Sequence, residues 1–182
     1  MTERKESTKR AAPPPTETPG LPIHVRVATE ADIAPLVPLL VRLKRLNEEF
    51  DPLLKVRADV DDRAREILQH DLSNPRAVVL AAEGVGSDKD KVVGVVRAQV
   101  RERVFYTPEL EGVILDIYLL PLYRRRGVGE YLLQEATSHL KEKGAGLVTA
   151  EFPTQNEIAV RFYAKRGFRP ITALHARALE RS

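Results

Sequence analysis

The stretch from Gly112 to Gly129 constrains most strongly what this chain can fold into. A mostly apolar run, Gly112 to Leu120, ends at Pro121, which is the pattern of a central strand. A turn with three arginines and two glycines follows, Arg124-Arg125-Arg126-Gly127-Val128-Gly129, and apolar residues then recur at helical spacing. The succession of strand, basic glycine turn and helix predicts a helix that starts directly beside the end of a sheet strand.

This turn has the chemistry of an anion site. The first turn of a helix exposes unpaired N–H groups at the positive end of its dipole, glycine allows close approach, and arginine adds forked hydrogen bonds. Leu132 stands where a dinucleotide fingerprint needs its third glycine, and no Gly-Lys-Ser/Thr follows as in a P-loop. A solvated charge run would leave both glycines unexplained. The turn therefore predicts a cradle for a pyrophosphate.

The periodicity of the remaining chain predicts an element order of β-α-α-β-β-β-α-β-α-β. Strands are expected at His24 to Val27, Ala77 to Ala82, Val92 to Val100, Gly112 to Leu120, Leu147 to Phe152 and Ile171 to Leu179. Capping boxes are expected at Thr29 with Asp32 and at Thr154 with Glu157, and Gly144 and Gly167 are expected to close the last two helices. The fold class is α/β (α+β), a mixed and mostly antiparallel sheet flanked by about four helices.

Composition sets the limits on class and location. Residues 1–20 are polar and rich in proline and predict a disordered tail, which leaves 21–182 as one domain. The chain has no cysteine and no apolar run long enough to cross a membrane, so a cytoplasmic protein is expected. The net charge of +3 and the absence of tryptophan argue against a nucleic-acid partner. The four histidines are scattered without metal-ligand spacing, so no metal is expected.

Two motifs in this order resemble the GCN5-related N-acetyltransferase (GNAT) family. Arg124-x-x-Gly127-x-Gly129 is similar to the family's Arg/Gln-x-x-Gly-x-Gly/Ala element, and the strand before it looks like the fourth strand of the family. The second region resembles Asn-x-x-Ala-x-x-x-Tyr-x-x-x-Gly-Phe and is carried by Asn156, Ala159, Phe162, Tyr163, Gly167 and Phe168. The resemblance covers about Ile23 to Leu179.

The resemblance implies acetyl-CoA as co-substrate, held in a cleft between strands 4 and 5. The backbone of Ile117 and Leu119 would pair with the pantetheine arm as an added strand does. The amides of Arg125, Arg126, Gly127, Val128 and Gly129 would receive the pyrophosphate, with charge from Arg124 and Arg126. Asn156 would lie near the pantetheine arm, and Tyr163 would be the general acid to the sulfur.

The base and the acceptor stay open in the sequence. Asp116 lies in an apolar run, where an ionisable group needs a partner or a task, and it is the first candidate for the base. Glu111, Glu151 and a water chain are the others, and a structural role for Asp116 is equally allowed. Acidic residues between the first two helices suggest a cationic acceptor, whereas Arg57, Arg101 and Arg103 suit an acceptor with a carboxylate. The acidic residues are Glu48, Glu49, Asp51, Asp59, Asp61 and Asp62.

Two functional hypotheses follow. The first is an N-acetyltransferase that acts on a primary amine of a small molecule or peptide, by direct attack in a ternary complex. The second is an acyl-CoA-binding regulatory module without turnover. Similar proteins often form homodimers, but no coiled coil or repeat here specifies one.

Overall fold

The computed structural model describes residues 23–124 and 127–179, so the predicted disordered tail at 1–20 lies outside the described residues. The strands are β1 (Ile23–Val27), β2 (Ala77–Gly84), β3 (Val92–Glu102), β4 (Leu110–Leu119) and β5 (Leu147–Ala150). The helices are α1 (Ile33–Glu48), α2 (Val60–Ser73), α3 (Val128–Glu142) and α4 (Glu157–Ala164). In this part of the chain no helix has both the length and the apolar character needed to span a membrane.

The sheet has the order β1-β2-β3-β4-β5. The first three pairings are antiparallel, and β4 pairs with β5 in parallel through the α3 crossover. The predicted hairpin of β2 and β3 and the mixed, mostly antiparallel sheet are confirmed.

Helices cover both faces of this sheet and form two apolar clusters. On one face, Leu132, Ala136 and Leu140 of α3 pack against Val96 and Ile114, and Tyr163 of α4 joins the same cluster. The other face packs against α1 and α2. Its most deeply buried members are Leu36, Leu40, Leu68, Ala81 and Val95. These are the apolar positions that the helical and strand periodicities select.

Of the two predicted capping boxes, one is confirmed and one is wrong. Asp32 accepts hydrogen bonds from the N–H of Thr29 at 2.7 Å and from its hydroxyl at 2.9 Å. At the other site the helix begins at Glu157 with Asn156 as its N-cap, so Thr154 lies two residues before the N-cap position. An Asn side chain accepts from the first-turn amides as well as Thr does, and Asn156 fills the position.

The predicted last strand, Ile171 to Leu179, is wrong. No strand forms there, and Ile171, Leu174 and Leu179 are exposed. Its large apolar residues do not alternate with a period of two, so they cannot form one buried face of a strand. Within the described residues the sheet therefore ends at β5.

A buried ion network joins the sheet to α1 and α2. Arg97 of β3 donates to Asp71 at 2.8 Å and to Asp116 at 2.6 Å, and the side chains of all three are no more than 8% exposed. Lys44 of α1 donates to the second oxygen of Asp116. Because an unpaired buried charge is costly, the network holds α1 against β4, through Lys44 and Asp116, and α2 against β3, through Asp71 and Arg97.

Replacing Arg97 with Met is expected to destabilise the fold by about 3 kcal/mol or more, because it leaves two buried carboxylates without their shared cation. Urea unfolding monitored by circular dichroism measures the loss. The matched control is Arg101→Met on the same strand, whose pair with Glu151 is 38% and 57% exposed, with an expected cost below about 1 kcal/mol. Equal losses in the two variants would contradict the assigned role of the network.

Candidate functional site

The parallel pair β4–β5 opens into a fork part-way along β4. The two strands pair from Glu111 with Leu147 to Ile114 with Ala150, and the N–H of Glu151 closes the ladder on the carbonyl of Ile114 at 3.0 Å. The chain after Glu151 then leaves the sheet. A bulge at Leu115 coincides with this point, since Asp116 pairs with Arg97 while Ile114 pairs with Ala98. The second half of β4 is therefore an open strand edge.

The backbone of Ile117 and Leu119 faces this open edge. Leu120 donates its backbone N–H to the carbonyl of Val93 on β3 at 2.9 Å. The backbone N–H and C=O groups of successive strand residues point to opposite edges of the strand, so those of Leu119 and Ile117 point away from β3. The carbonyl of Leu119 accepts from the side chain of Arg124 at 2.8 Å. The N–H and C=O of Ile117 and the N–H of Leu119 remain on an edge without a strand partner, which suits a ligand that pairs as an added strand.

The start of α3 lies beyond the end of this edge and has no cap from a described side chain. Gly127 is the N-cap with a φ of 80°, a left-handed conformation that glycine adopts without strain. The first helical bond runs from Tyr131 to the carbonyl of Gly127 at 3.0 Å, which leaves the amides of Val128, Gly129 and Glu130 without a helical partner. Three amides without a partner among the described residues, at the start of a helix, are suited to an anion.

Arg124 connects the two features. Its Nε holds the carbonyl of Leu119, and its guanidinium lies 5.2 Å from the ring centroid of Tyr118. The terminal nitrogens of Arg124 have no acceptor among the described residues and are free for an anion. The predicted ligands Arg125 and Arg126 lie outside the described residues.

Gly129 brings α4 against the start of α3. A Cβ at Gly129 would come within 3.2 Å of a ring carbon of Phe162, so only glycine allows this approach without a shift. Arg166 holds the contact by stacking 4.0 Å from the centroid of Phe162 and by pairing with Glu130 at 3.0 Å. The glycine therefore has a packing reason as well as the ligand-binding one predicted from the motif.

Tyr163, the next residue of α4, is held in an aromatic cluster. Its ring stacks on Phe152 at 5.0 Å and meets Phe162 and Phe168 edge-on at 5.1 Å. The residue is 4% exposed, and its hydroxyl has no hydrogen-bond partner among the described residues. Burial, with a smaller contribution from the charge of Asp116, raises the pKa of Tyr163 above its ordinary value. The phenol therefore keeps its proton at neutral pH, as a general acid must.

Asn156 lies at the N-terminus of α4. Its side-chain oxygen accepts from the N–H of Ala159 at 3.1 Å. This capping bond explains why the motif has an Asn at this point, because it orients the helix that carries Tyr163. The side-chain N–H₂ group has no acceptor among the described residues and is free for a ligand.

The carboxylates proposed as the base differ in their surroundings. Both oxygens of Asp116 are held, one by Lys44 and one by Arg97, and its side chain is 1% exposed. Glu151 lies at the fork, is 57% exposed and pairs with Arg101 at 2.7 Å. Glu111 is half-buried and lies 3.9 Å from Arg103. To act as a base, Asp116 would have to give up its hydrogen bond with Lys44 or Arg97. Glu151 would only have to give up its hydrogen bond with Arg101, which is partly exposed.

Concave sites on the surface of the described residues include one between helices and the sheet and another between helices. The larger, of about 410 Å³, is lined by Asp71, His139 and Glu142, and it lies roughly 15–20 Å along α3 from Gly127. None of the predicted site residues lines it. The smaller, of about 270 Å³, is lined by residues of α1, α2 and their connection, among them Lys44, whose ammonium contacts Asp116. Within 23–124 and 127–179 no three His, Asp or Glu side chains come close enough together to hold a metal.

Fold and site together define a class of protein: a mixed sheet forked at its parallel pair, with an uncapped helix start and a buried phenol beside the fork. Such an arrangement has the open edge and the amide donors that an extended ligand with a phosphate group would need.

Comparison with known proteins identifies the family. The model of the acetyltransferase (GNAT) family matches residues 42–168. N-alpha-acetyltransferase 30 of Schizosaccharomyces pombe is 27% identical over 112 residues, which are 57% of this chain and 73% of that protein. The chain belongs to the GNAT family of acetyltransferases.

Solved structures share the fold. Aminoglycoside N-acetyltransferase AAC(6')-Iy in complex with CoA has a TM-score of 0.69 at 16% identity, over 90% of this chain and 99% of that one. A predicted acetyltransferase with acetyl-CoA from Clostridium acetobutylicum also has a TM-score of 0.69, at 18% identity, over 86% of this chain and 96% of that one. Proteins that share this fold have thus been crystallised with CoA and with acetyl-CoA.

Sequence reasoning missed three residues that shape the site. Arg97 stands in an apolar strand, the same signal that singled out Asp116, and could have been found by it. Lys44 and Phe152 carry no such signal, because their roles depend on contacts with Asp116 and Tyr163 from distant elements.

Proposed function

We propose that this protein transfers the acetyl group of acetyl-CoA to a primary amine by direct attack in a ternary complex. The observation that carries the proposal is the open edge of β4 together with a start of α3 that no described side chain caps, and with Tyr163 in the apolar cluster that both contact. Family membership and the acetyl-CoA and CoA of the structural neighbours support it.

In this proposal the two ends of the path hold the two ends of the co-substrate. The amides from Arg125 to Gly129, with the charges of Arg124 and Arg126, hold the pyrophosphate. The backbone of Ile117 and Leu119 pairs with the pantetheine arm, and the free N–H₂ group of Asn156 donates to it. The fit follows from the free amides at Val128 and Gly129 and from the unpaired edge of β4.

Acetyl-CoA supplies a thioester carbonyl carbon that an amine can attack. A C–N bond forms, the C–S bond breaks, the amine loses one proton and the sulfur gains one. Tyr163 donates the proton to the sulfur, and its raised pKa keeps it protonated until then. An alkyl amine with a pKa of about 10.4 is mostly protonated at neutral pH, so a base must take up its proton.

Asp116 stays the first candidate for that base, with Glu111, Glu151 and a water chain as the alternatives. Asp116 directly precedes Ile117, whose backbone is proposed to pair with the cofactor, and its negative charge contributes to the raised pKa of Tyr163. Glu151 lies at the fork with an exposed carboxylate. The pH dependence of kcat/KM separates them, because Glu151→Gln removes the acidic limb of the profile only if Glu151 takes the proton.

The acceptor class is a terminal amine. The homologue from Schizosaccharomyces pombe is named for N-alpha-acetylation, and the structural neighbours include aminoglycoside acetyltransferases. Both names describe transfer to an amine, which supports an amine acceptor for this chain. A cytoplasmic location, independence from nucleic acid and a homodimer stay predictions from the sequence.

A panel of amines assayed by release of free CoA tests the function. We expect CoA release that depends on both the amine and acetyl-CoA, and the panel should include amino acids, peptides, polyamines and amino sugars. Calorimetry with CoA in parallel measures the cofactor site alone. Tight CoA binding without turnover on any amine would support the regulatory module instead, and absence of CoA binding would remove both hypotheses.

A further inference from the structure

The pocket beside Asp116 has an unusual charge. It lies between α1, the start of α2 and their connection, with a volume of about 270 Å³. Four of its eight lining residues are cations, Lys44, Lys55, Arg57 and Arg63, and none is a carboxylate. The acidic residues of this region, which suggested a cationic acceptor in the sequence, do not line it. An anion is the natural counterpart of such a wall.

Three of the four cations already have partners. Lys44 pairs with Asp116, and Arg57 and Arg63 share Asp59 at 2.7 and 3.0 Å. The Arg57 guanidinium is the main reason that the pKa of Asp59 lies well below its ordinary value, so Asp59 stays charged and keeps both arginines neutralised.

Lys55 differs from these three. It lines the same pocket, and no carboxylate in the described part of the chain pairs with it. Its ammonium is the cation that an incoming anion can neutralise without displacing a protein partner.

The pocket adjoins the proposed reaction site through Lys44. The Lys44 side chain lines the pocket, and its ammonium contacts Asp116 of β4. The next residue of the strand, Ile117, presents its backbone to the open edge. Lys44 therefore links the pocket to the strand that is proposed to hold the thioester.

The remaining wall is apolar. Leu54, Val56 and Val60 contribute it, and Asn47 adds a neutral polar group. The volume is below the ~300–1,000 Å³ of typical sites for drug-sized ligands, so the pocket suits a small molecule with one apolar side chain. Amino sugars and polyamines have several positive charges, and no residue that lines this pocket is a carboxylate that could pair with them.

We propose that this pocket binds the carboxylate of the acceptor, and that the acceptor is a free amino acid with an apolar side chain, with Lys55 as its specificity-determining partner. This inference rests on the proposed function and adds the substrate class. The amine and the carboxylate of the substrate then belong to one small molecule, and a peptide amino terminus lacks the adjacent carboxylate.

The test compares matched ligands that differ only in the carboxylate. L-leucine, L-valine and L-phenylalanine, each beside its amide, are titrated into the CoA-bound protein by calorimetry. Binding is measured because amides have less basic amines, which would distort a comparison of turnover. We expect at least one acid to bind about tenfold or more tightly than its amide, as one charge-assisted hydrogen bond implies.

Lys55→Gln assigns the effect to a residue. The variant should lose about tenfold in affinity for the preferred acid and none for its amide, whereas Lys141→Gln, an exposed lysine at the far end of α3, should change neither. Acid and amide binding equally, no acid binding, or an unchanged affinity in Lys55→Gln would overturn the inference. Inorganic phosphate that binds with the same Lys55 dependence while the acids fail would also overturn it. CoA binding in the same titrations is independent of this outcome, and only its loss counts against the proposed function.

Discussion

Gly127→Glu is expected to abolish binding of CoA. The site has room for a side chain, since nothing lies within 4 Å of a Cβ placed there, so the effect comes from charge and backbone rather than from a clash. The carboxylate would compete for the free amides of α3 and repel the pyrophosphate. A repulsion of about 4 kcal/mol between charges about 4 Å apart, at an effective dielectric constant of about 20, corresponds to roughly a thousandfold in Kd. Isothermal titration calorimetry with CoA measures the change.

Gly127→Asn is the matched control for the backbone. Gly127 has a φ of 80°, and Asn tolerates this region better than other side chains while it adds no charge. We expect a loss of less than about tenfold in CoA affinity for this variant, because the Asn side chain has no negative charge to repel the pyrophosphate. Wild-type affinity in Gly127→Glu would remove the start of α3 from the cofactor site, and equal losses in both variants would show that backbone strain alone matters.

Tyr163→Phe is expected to lower kcat by about 100-fold or more and to leave the Kd of CoA nearly unchanged. The substitution removes only the hydroxyl. The ring keeps its stacking on Phe152 and its edge contacts with Phe162 and Phe168, so α4 and the start of α3 should stay in place. Steady-state assays of CoA release, with calorimetry for CoA binding, measure the two quantities separately.

Tyr118→Phe is the control for the loss of a buried phenol. The Tyr118 hydroxyl is buried without a hydrogen-bond partner in the described part of the chain, and the residue packs on the α1 side of the sheet. Its removal should change kcat little. If Tyr163→Phe kept wild-type turnover, another group or water would have to protonate the sulfur, and the acid role of Tyr163 would be withdrawn.

Most elements of the fold could be predicted because their signals are short-range. The periodicity that separates β2 from α3 repeats within a few residues, and the box of Thr29 with Asp32 spans a single turn. The predicted last strand was wrong because its apolar content was read without its spacing. Ile171, Leu174 and Leu179 lack the period of two that one buried face of a strand requires.

The site was predictable to the extent that a motif places it. Gly127, Val128 and Gly129 lie at the start of α3 as expected, and Ile117 and Leu119 face the open edge. The contact between Gly129 and Phe162 was not predictable, because the two residues belong to different helices and meet only through tertiary packing.

The sequence by itself determined the class of this protein, because a strand, a basic glycine turn and a helix carry the family's motif whichever way the distant parts pack. The tertiary structure decided how the neighbouring charges are used. Arg97 and Lys44 reach Asp116 from 19 and 72 residues away, and Lys55 shares a pocket with Lys44 and has no carboxylate partner among the described residues. The physical reason is that a helix cap or turn is stabilised by groups within a few residues. An ion pair between elements forms only when strand register and helix packing bring its two charges within a few ångströms.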